Sequence, residues 1–145
     1  MKHFTSILIS MLALLFIGCS SNDDLYNEMP RAIESFVAQY YPNTQLASFT
    51  HSSNKYRLVL KDGPTMVFDD TYQWTMLNGN GSPLPGNFLF NEMPPEVYSY
   101  LQETENLNDV FSVQRDSSDY TIMLLDYTIE YNTVTGHLTG GNQKK

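Results

Sequence analysis

The 145-residue chain has one cysteine, Cys19, which excludes an internal disulfide framework and any cysteine-rich zinc site. Basic side chains are scarce, with 8 Lys and Arg against 16 Asp and Glu, a formal net charge of −8. Binding nucleic acid through a phosphate-neutralising surface needs the opposite balance, so no nucleic-acid partner is expected. Beyond the first few residues only His51 and His137 remain, and neither has a histidine four positions away with which to share a metal. There is no Gly-x-Ser-x-Gly elbow and no phosphate-cradling glycine loop. Chemistry by carboxylates alone would need a facing pair. Of the adjacent pairs, Asp23-Asp24 lies in a polar stretch near the amino terminus. Asp69-Asp70 would diverge to opposite faces of a strand, so turn building is expected there, with calcium binding the remaining use. Glu103, Glu105 and Asp109 read as a solvated acidic patch. The expectation is a protein that is not an enzyme, with no catalytic residues, no cofactor and no metal site.

What is present is 41% hydrophobic and only 17% charged residues, the composition of a globular body of about one domain. Lys2 and His3 open a short basic start, followed by an apolar run over residues 4–17. Fourteen helical residues span about 21 Å, short for a ~30 Å hydrocarbon core but suited to a secretory signal. The run ends in Leu15-Phe16-Ile17-Gly18-Cys19, which resembles a bacterial lipobox. Residues 1–18 are therefore expected to be a lipoprotein signal peptide, with Cys19 lipidated and anchored in a membrane. Residues 19–24 form an acidic tether, and an acidic pair so placed resembles the surface-export signal of Bacteroidota lipoproteins. The expected address is the outer membrane, surface-exposed or periplasmic. Losing Lys2 leaves 7 basic against 16 acidic side chains, a net of −9, so the body should stand off anionic headgroups.

The rest of the chain repeats itself. At a spacing of 64, Leu25-Tyr26-Asn27-Glu28-Met29-Pro30 falls on Leu89-Phe90-Asn91-Glu92-Met93-Pro94, followed by Ile33 on Val97, Ser35 on Ser99, Phe36 on Tyr100 and Val37 on Leu101. Six of those thirteen positions are identical, where chance gives about one. The same spacing puts Tyr56 on Tyr120, Leu58 on Ile122, Leu60 on Leu124 and Asp62 on Asp126; one residue is then lost in a turn, and Met66 and Phe68 meet Ile129 and Tyr131.

Each copy predicts a helix followed by antiparallel strands. Ile33, Phe36, Val37 and Tyr40 share one helix face, which Pro42 terminates, and Val97, Tyr100, Leu101 and Thr104 share the other. Alternation predicts strands at 44–51, around Tyr56–Leu60, at 65–69 and at 73–77, then at 109–115, 119–125, 127–131 and 134–138. The fold class is thus α+β, a tandem duplication of a helix and three to four antiparallel strands with helices on one face. The units either join edge to edge or pack as one sheet of six to eight strands. The boundaries are 25–77 for the first repeat, 78–88 for a Gly-, Pro- and Asn-rich loop, 89–139 for the second repeat and 140–145 for a polar tail.

Met29-Pro30, Phe36, Tyr41-Pro42, residues 56–63 (YRLVLKDG) and Met66-Val67-Phe68-Asp69 together resemble the PepSY-like family of β-lactamase-inhibitor-like proteins. The resemblance covers residues 25–139 and implies two copies of an α-plus-four-strand unit in a secreted or lipid-anchored protein. The family pattern has a glycine in the turn after the Phe-Asp pair, where this chain has Tyr72; the second copy keeps Gly136 but has Tyr131-Asn132 for Phe-Asp and His137 near the aromatic position held by Trp74 in the first. β-Lactamase-inhibitor relatives bind an enzyme across a concave sheet surface, so the resemblance implies a binding protein, of which an inhibitor of an extracytoplasmic enzyme is one form.

The aromatic side chains Phe36, Tyr40, Tyr56, Phe68, Tyr100, Tyr120 and Tyr131 fall on inward positions. Alternation then assigns Arg57, Val59, Lys61, Thr65 and Val67 of copy one, and Thr121, Met123, Leu125, Thr128 and Glu130 of copy two, to the uncovered sheet face. Val59, Val67, Met123 and Leu125 would form an apolar strip rimmed by charge, the composition of a recognition surface. With help from the 78–90 loop, this face is expected to bind a protein or peptide partner. The alternatives are a homodimer through the same face, a metal- or glycan-binding accessory protein using Asp69-Asp70 or exposed aromatics, and a structural lipoprotein without a ligand.

Overall fold

A computed structural model describes residues 28–140; the expected signal peptide, Cys19, tether and polar tail lie largely outside the described residues. Helix α1 (Arg31–Tyr40) is followed by strands β1 (Leu46–Ser52), β2 (Lys55–Leu60), β3 (Thr65–Asp69) and β4 (Trp74–Asn78). Helices α2 (Gly86–Glu92) and α3 (Pro95–Glu103) and a 3₁₀ turn at Leu107–Asp109 then lead into β5 (Val110–Arg115), β6 (Asp119–Leu124), β7 (Thr128–Asn132) and β8 (His137–Gly140). All eight strands form one antiparallel sheet in chain order. The α+β duplication expected from the sequence is what the structure has, in its single-sheet form.

The duplication is kept in three dimensions. β2 and β6 are related by 64 positions and β3 and β7 by 63, as the alignment requires. β1 and β5 carry the same irregularity at the same place: the register shifts between Leu46 and Ser48, and again 64 residues later between Val110 and Ser112. Each shift is a bulge, which turns the first apolar residue of the strand back into the core. The copies join where β4 pairs with β5, Met76 opposite Gln114, Leu77 opposite Val113 and Asn78 opposite Ser112.

All three helices pack on one face of the sheet. Ile33, Val37 and Tyr40 of α1 and Val97 and Leu101 of α3 are buried, as their spacing predicts. Beneath them runs an apolar row: Leu58, Met66, Leu77, Val113, Ile122 and Ile129 are each opposite the next and fully buried. Phe68, Tyr40 and Tyr131 are buried as expected, while Phe36, Tyr56, Tyr100 and Tyr120 pack on the core with one edge in solvent.

One element was not expected. α2 occupies part of the predicted inter-repeat loop and the first residues of the second repeat, and it buries Phe88 and Leu89. The Phe88 ring meets Tyr40 edge to face at 5.4 Å and Trp74 at 5.3 Å. A seven-residue helix that buries only Phe88 and Leu89 is too short to show a clear helical period among Gly, Pro and Asn.

Candidate functional site

Because the helices cover only one face, the other is open along its full width. Two rows of side chains cross it. The first runs from Thr50 and Arg57 through Val67 and Met76 to Gln114, Thr121, Glu130 and Thr139. The second runs from Ser48 and Val59 through Thr65 and Asn78 to Ser112, Met123 and Thr128. The alternation-based face residues of β2, β3, β6 and β7 all lie in these two rows.

Their grouping differs from the expected strip. Val59 and Met123 share a row but stand four strands apart, about 19 Å at ~4.8 Å per strand. Between them are Thr65, Asn78 and Ser112, all polar. Leu125 lies beyond the end of β6 in a turn and is 71% exposed, so it does not belong to the face. Thr65 is buried, because Asn80 folds back over it: the Asn80 amide Nδ2 donates to Thr65 Oγ1 at 3.1 Å and to the Gly63 carbonyl at 2.9 Å. Ser112 is also buried, its hydroxyl donating to the Leu77 carbonyl at 3.2 Å. The apolar patch on the face is instead Val59, Val67 and Met76, contiguous on β2, β3 and β4. Lys61 lies exposed just past the end of β2, and Arg57, Thr128 and Glu130 are exposed.

The loop between the repeats also contributes less than expected. Asn80 touches the open face, but Leu84, Phe88 and Leu89 pass to the helix side and are buried there. Phe90 projects from the helix layer, 67% exposed, with its ring edge against Tyr98 at 5.3 Å.

A broad open concavity of about 970 Å³ lies on this face toward the end that carries the β1–β2, β3–β4, β5–β6 and β7–β8 turns. Lys55, Val67, Thr75, Met76 and Gln114 form its floor, and Asp69, Gln73, Arg115 and Asp116 its end. Thr75, Met76, Gln114 and Arg115 are absent from the sequence-based face, which rested on the β2–β3 and β6–β7 hairpins alone. The missing signal is the pairing of β4 with β5, a contact between repeats that no local pattern announces.

Two of the turns at this end, β3–β4 and β7–β8, are built by a side-chain acceptor at the same place in each repeat. Asp69 Oδ1 accepts from Thr71 N at 2.9 Å, Thr71 Oγ1 at 2.7 Å and Gln73 N at 3.0 Å. Asn132, 63 residues on, accepts from Val134 N at 3.0 Å and Thr135 N at 2.9 Å. Burial pushes the Asp69 carboxyl up, but the hydrogen bonds from Thr71 and Gln73, with the nearby Arg115 charge, outweigh it and hold it below the usual carboxylate range. Asp69 is thus a turn builder with one oxygen already engaged, and Asp70 is exposed beside it. Tyr72 takes the backbone conformation that favours glycine, φ 65°, and sets its ring 5.5 Å from Tyr56. Burial foremost, then contact with Tyr72, pushes the Tyr56 phenol up.

Arg115 is committed elsewhere. Its guanidinium lies 4.2 Å over the Trp74 ring and its Nε donates to the Trp74 carbonyl, so it straps β5 of the second repeat to β4 of the first. His51 stacks on Tyr56 at 4.1 Å and His137 is exposed on the last strand. Among the described residues no three His, Cys, Asp or Glu side chains converge as a metal site.

The family profile described as "Putative beta-lactamase-inhibitor-like, PepSY-like" matches this chain over residues 17–73 and again over 54–134. The chain belongs to that family. Solved structures similar to this PepSY-like protein include one described as a putative periplasmic protein of unknown function from Bacteroides vulgatus. It is 17% identical with a TM-score of 0.68, over 80% of this chain and 94% of the other. A putative calcium-regulated periplasmic protein from Bacteroides thetaiotaomicron is 17% identical with a TM-score of 0.65, over 81% and 92%. A second putative periplasmic protein from Bacteroides vulgatus is 20% identical with a TM-score of 0.66, over 81% and 92%. At such identities the likeness is one of fold. No curated protein matches the chain.

Proposed function

We propose that this PepSY-like protein is a lipid-anchored, non-catalytic module of the cell envelope that binds a protein or peptide partner across the open face of its sheet, acting as an inhibitor where the partner is an enzyme. The observation that carries this reading is the face itself. An eight-stranded sheet covered by helices on one side leaves the other open, with a concavity toward one end and a half-buried apolar patch, Val59, Val67 and Met76, between polar neighbours. Apolar centres with polar rims are the anatomy of transient protein interfaces. The lipobox-like sequence at Cys19 and the periplasmic descriptions of its structural neighbours support the envelope address.

The test compares capture from envelope extract by the full chain and by a V67D/M76D variant that melts at the same temperature. One stoichiometric partner, retained by the native protein and lost by the variant, is expected. If that partner is an enzyme, its activity should fall on titration with the native protein only. Equal capture by both proteins would place the binding surface elsewhere.

A further inference from the structure

Among the described residues of this acidic chain there are five Lys and Arg, and three of them fall along one strand line. Lys55 and Arg57 alternate with Tyr56 and Leu58 in β2, so that the core takes the aromatic and aliphatic side chains and the open side takes the cations, and Lys61 follows just past the strand end, at the rim of that face. All three are exposed, and among the described residues none of their side chains has a hydrogen-bonding or ion-pair partner. Asp69 stands opposite Lys55 in the ladder, but its Oδ1 is turned into the β3–β4 turn.

The duplication supplies an internal control. Sixty-four residues on, the positions of Tyr56, Leu58 and Leu60 are held by Tyr120, Ile122 and Leu124, so both copies make the same demand on the core. The positions of Lys55, Arg57, Val59 and Lys61 are held by Asp119, Thr121, Met123 and Leu125. The fold therefore does not require the cations. Along a strand, Lys55 and Arg57 lie about 6.7 Å apart, well inside a Debye length, where like charges repel. No bonded partner within the described residues relieves that repulsion, and a negatively charged occupant would. Val59, Val67 and Met76 lie beside this line as an apolar seat, and the concavity opens from Lys55 past Val67 and Met76. A second copy of the same concave surface would not fill it.

We infer that the first-repeat half of the open face takes an acidic segment of a protein partner, its carboxylates against Lys55, Arg57 and Lys61 and its apolar side chains on Val59, Val67 and Met76. This rests on the partner-binding reading above and specifies the chemistry of the partner. The second-repeat half, with Asp119 and Glu130, steers such a segment away from itself and so sets its placement on the sheet.

The experiment uses the full chain in detergent and fluorescent eight-residue peptides of alternating Glu and Leu or alternating Lys and Leu, with dextran sulfate as a third probe. The Glu–Leu peptide should bind, more weakly as salt is raised, and the Lys–Leu peptide should not. A K55E/R57E/K61E variant should bind the Glu–Leu peptide about tenfold more weakly, the sum of three rim charges of about 0.5 kcal/mol each. An S35E/S99E variant, which adds two negative charges on the exposed sides of α1 and α3, should bind it as the native protein does. Equal or tighter binding of the Lys–Leu peptide, binding of dextran sulfate with neither peptide, or a face closed by self-association in sedimentation would overturn the inference. Capture from extract separates the two levels. Loss with V67D/M76D but not with K55E/R57E/K61E would leave the face in place and remove the acidic partner; capture unaffected by either variant would remove both.

Discussion

At the scale of single residues, Glu92 holds the junction of the repeats. Its Oε1 accepts from the Tyr40 hydroxyl at 2.6 Å and its Oε2 from Trp74 Nε1 at 2.8 Å, so one carboxylate of α2 satisfies donors from α1 and β4. Such charge-assisted bonds are worth roughly twice neutral ones. Burial first, and then the Glu92 carboxylate, push the Tyr40 phenol up to about 12. Its folded-state value therefore lies above the ordinary 10 of an unfolded tyrosine. Between these values the unfolded chain gives up the proton and the folded chain keeps it, so stability present below pH 10 is lost as the pH rises toward 12. Denaturant melts across that window should show a falling midpoint, and Tyr40→Phe should make the fall shallower. An unchanged slope in the variant would exclude Tyr40 as a source. The half-buried Tyr41 phenol and those of Tyr127 and Tyr131 are also pushed up, so part of the slope should persist.

At the scale of elements, α1 illustrates why the helices form where they do. It has no side-chain N-cap, and begins after Pro30, whose extended backbone sets the turn into the helix. Its stability comes from burial of Ile33, Val37 and Tyr40 on the sheet rather than from its ends. Ile33→Ala should cost about 2–5 kcal/mol in a chemical melt, whereas Ser35→Ala on the exposed side should stay within about 0.5 kcal/mol. Comparable costs for the two would mean that α1 does not pack as described. β4 shows the opposite case, where local pattern misleads. Strict alternation would put Trp74 and Leu77 on opposite faces, yet both are buried in the core. The bulge at Thr75 inserts the extra residue that reconciles them, with Val67 opposite Met76 and Phe68 opposite Trp74. The same bulge turns Met76 out onto the open face, where it completes the apolar patch.

At the scale of the whole molecule, a body of two short repeats is one structure because the sheet is continuous and the aromatic contacts cross the boundary. About sixty residues bury too little surface to be comfortable alone, and β4–β5 pairing, Arg115 on Trp74 and the Glu92 bridge all add surface shared by the two copies. On the lipid-anchored reading proposed above, an acidic body is repelled by anionic lipid, so its attachment would rest on acyl chains at Cys19 rather than on electrostatic adsorption. Cys19→Ala should therefore move the protein from the membrane fraction to the soluble one. Retention on the membrane after that change would point to another means of attachment.

The sequence by itself determined what depends on neighbours along the chain. Spacing of Ile33, Val37 and Tyr40 marks a helix face, alternation in residues 55–60 and 119–124 marks strands with one side buried, and a repeat of 64 positions marks the duplication. Those signals are local because a side chain's facing within one helix or strand follows from geometry alone. Tertiary structure decided what depends on contacts between distant segments: that β4 joins β5, that α2 forms to bury Phe88 against Tyr40 and Trp74, and that bulges reset the facing of Trp74 and Met76. It also divided the expected apolar strip, because the polar side chains of Thr65, Asn78 and Ser112 come to lie between Val59 and Met123 only once the two repeats share a sheet.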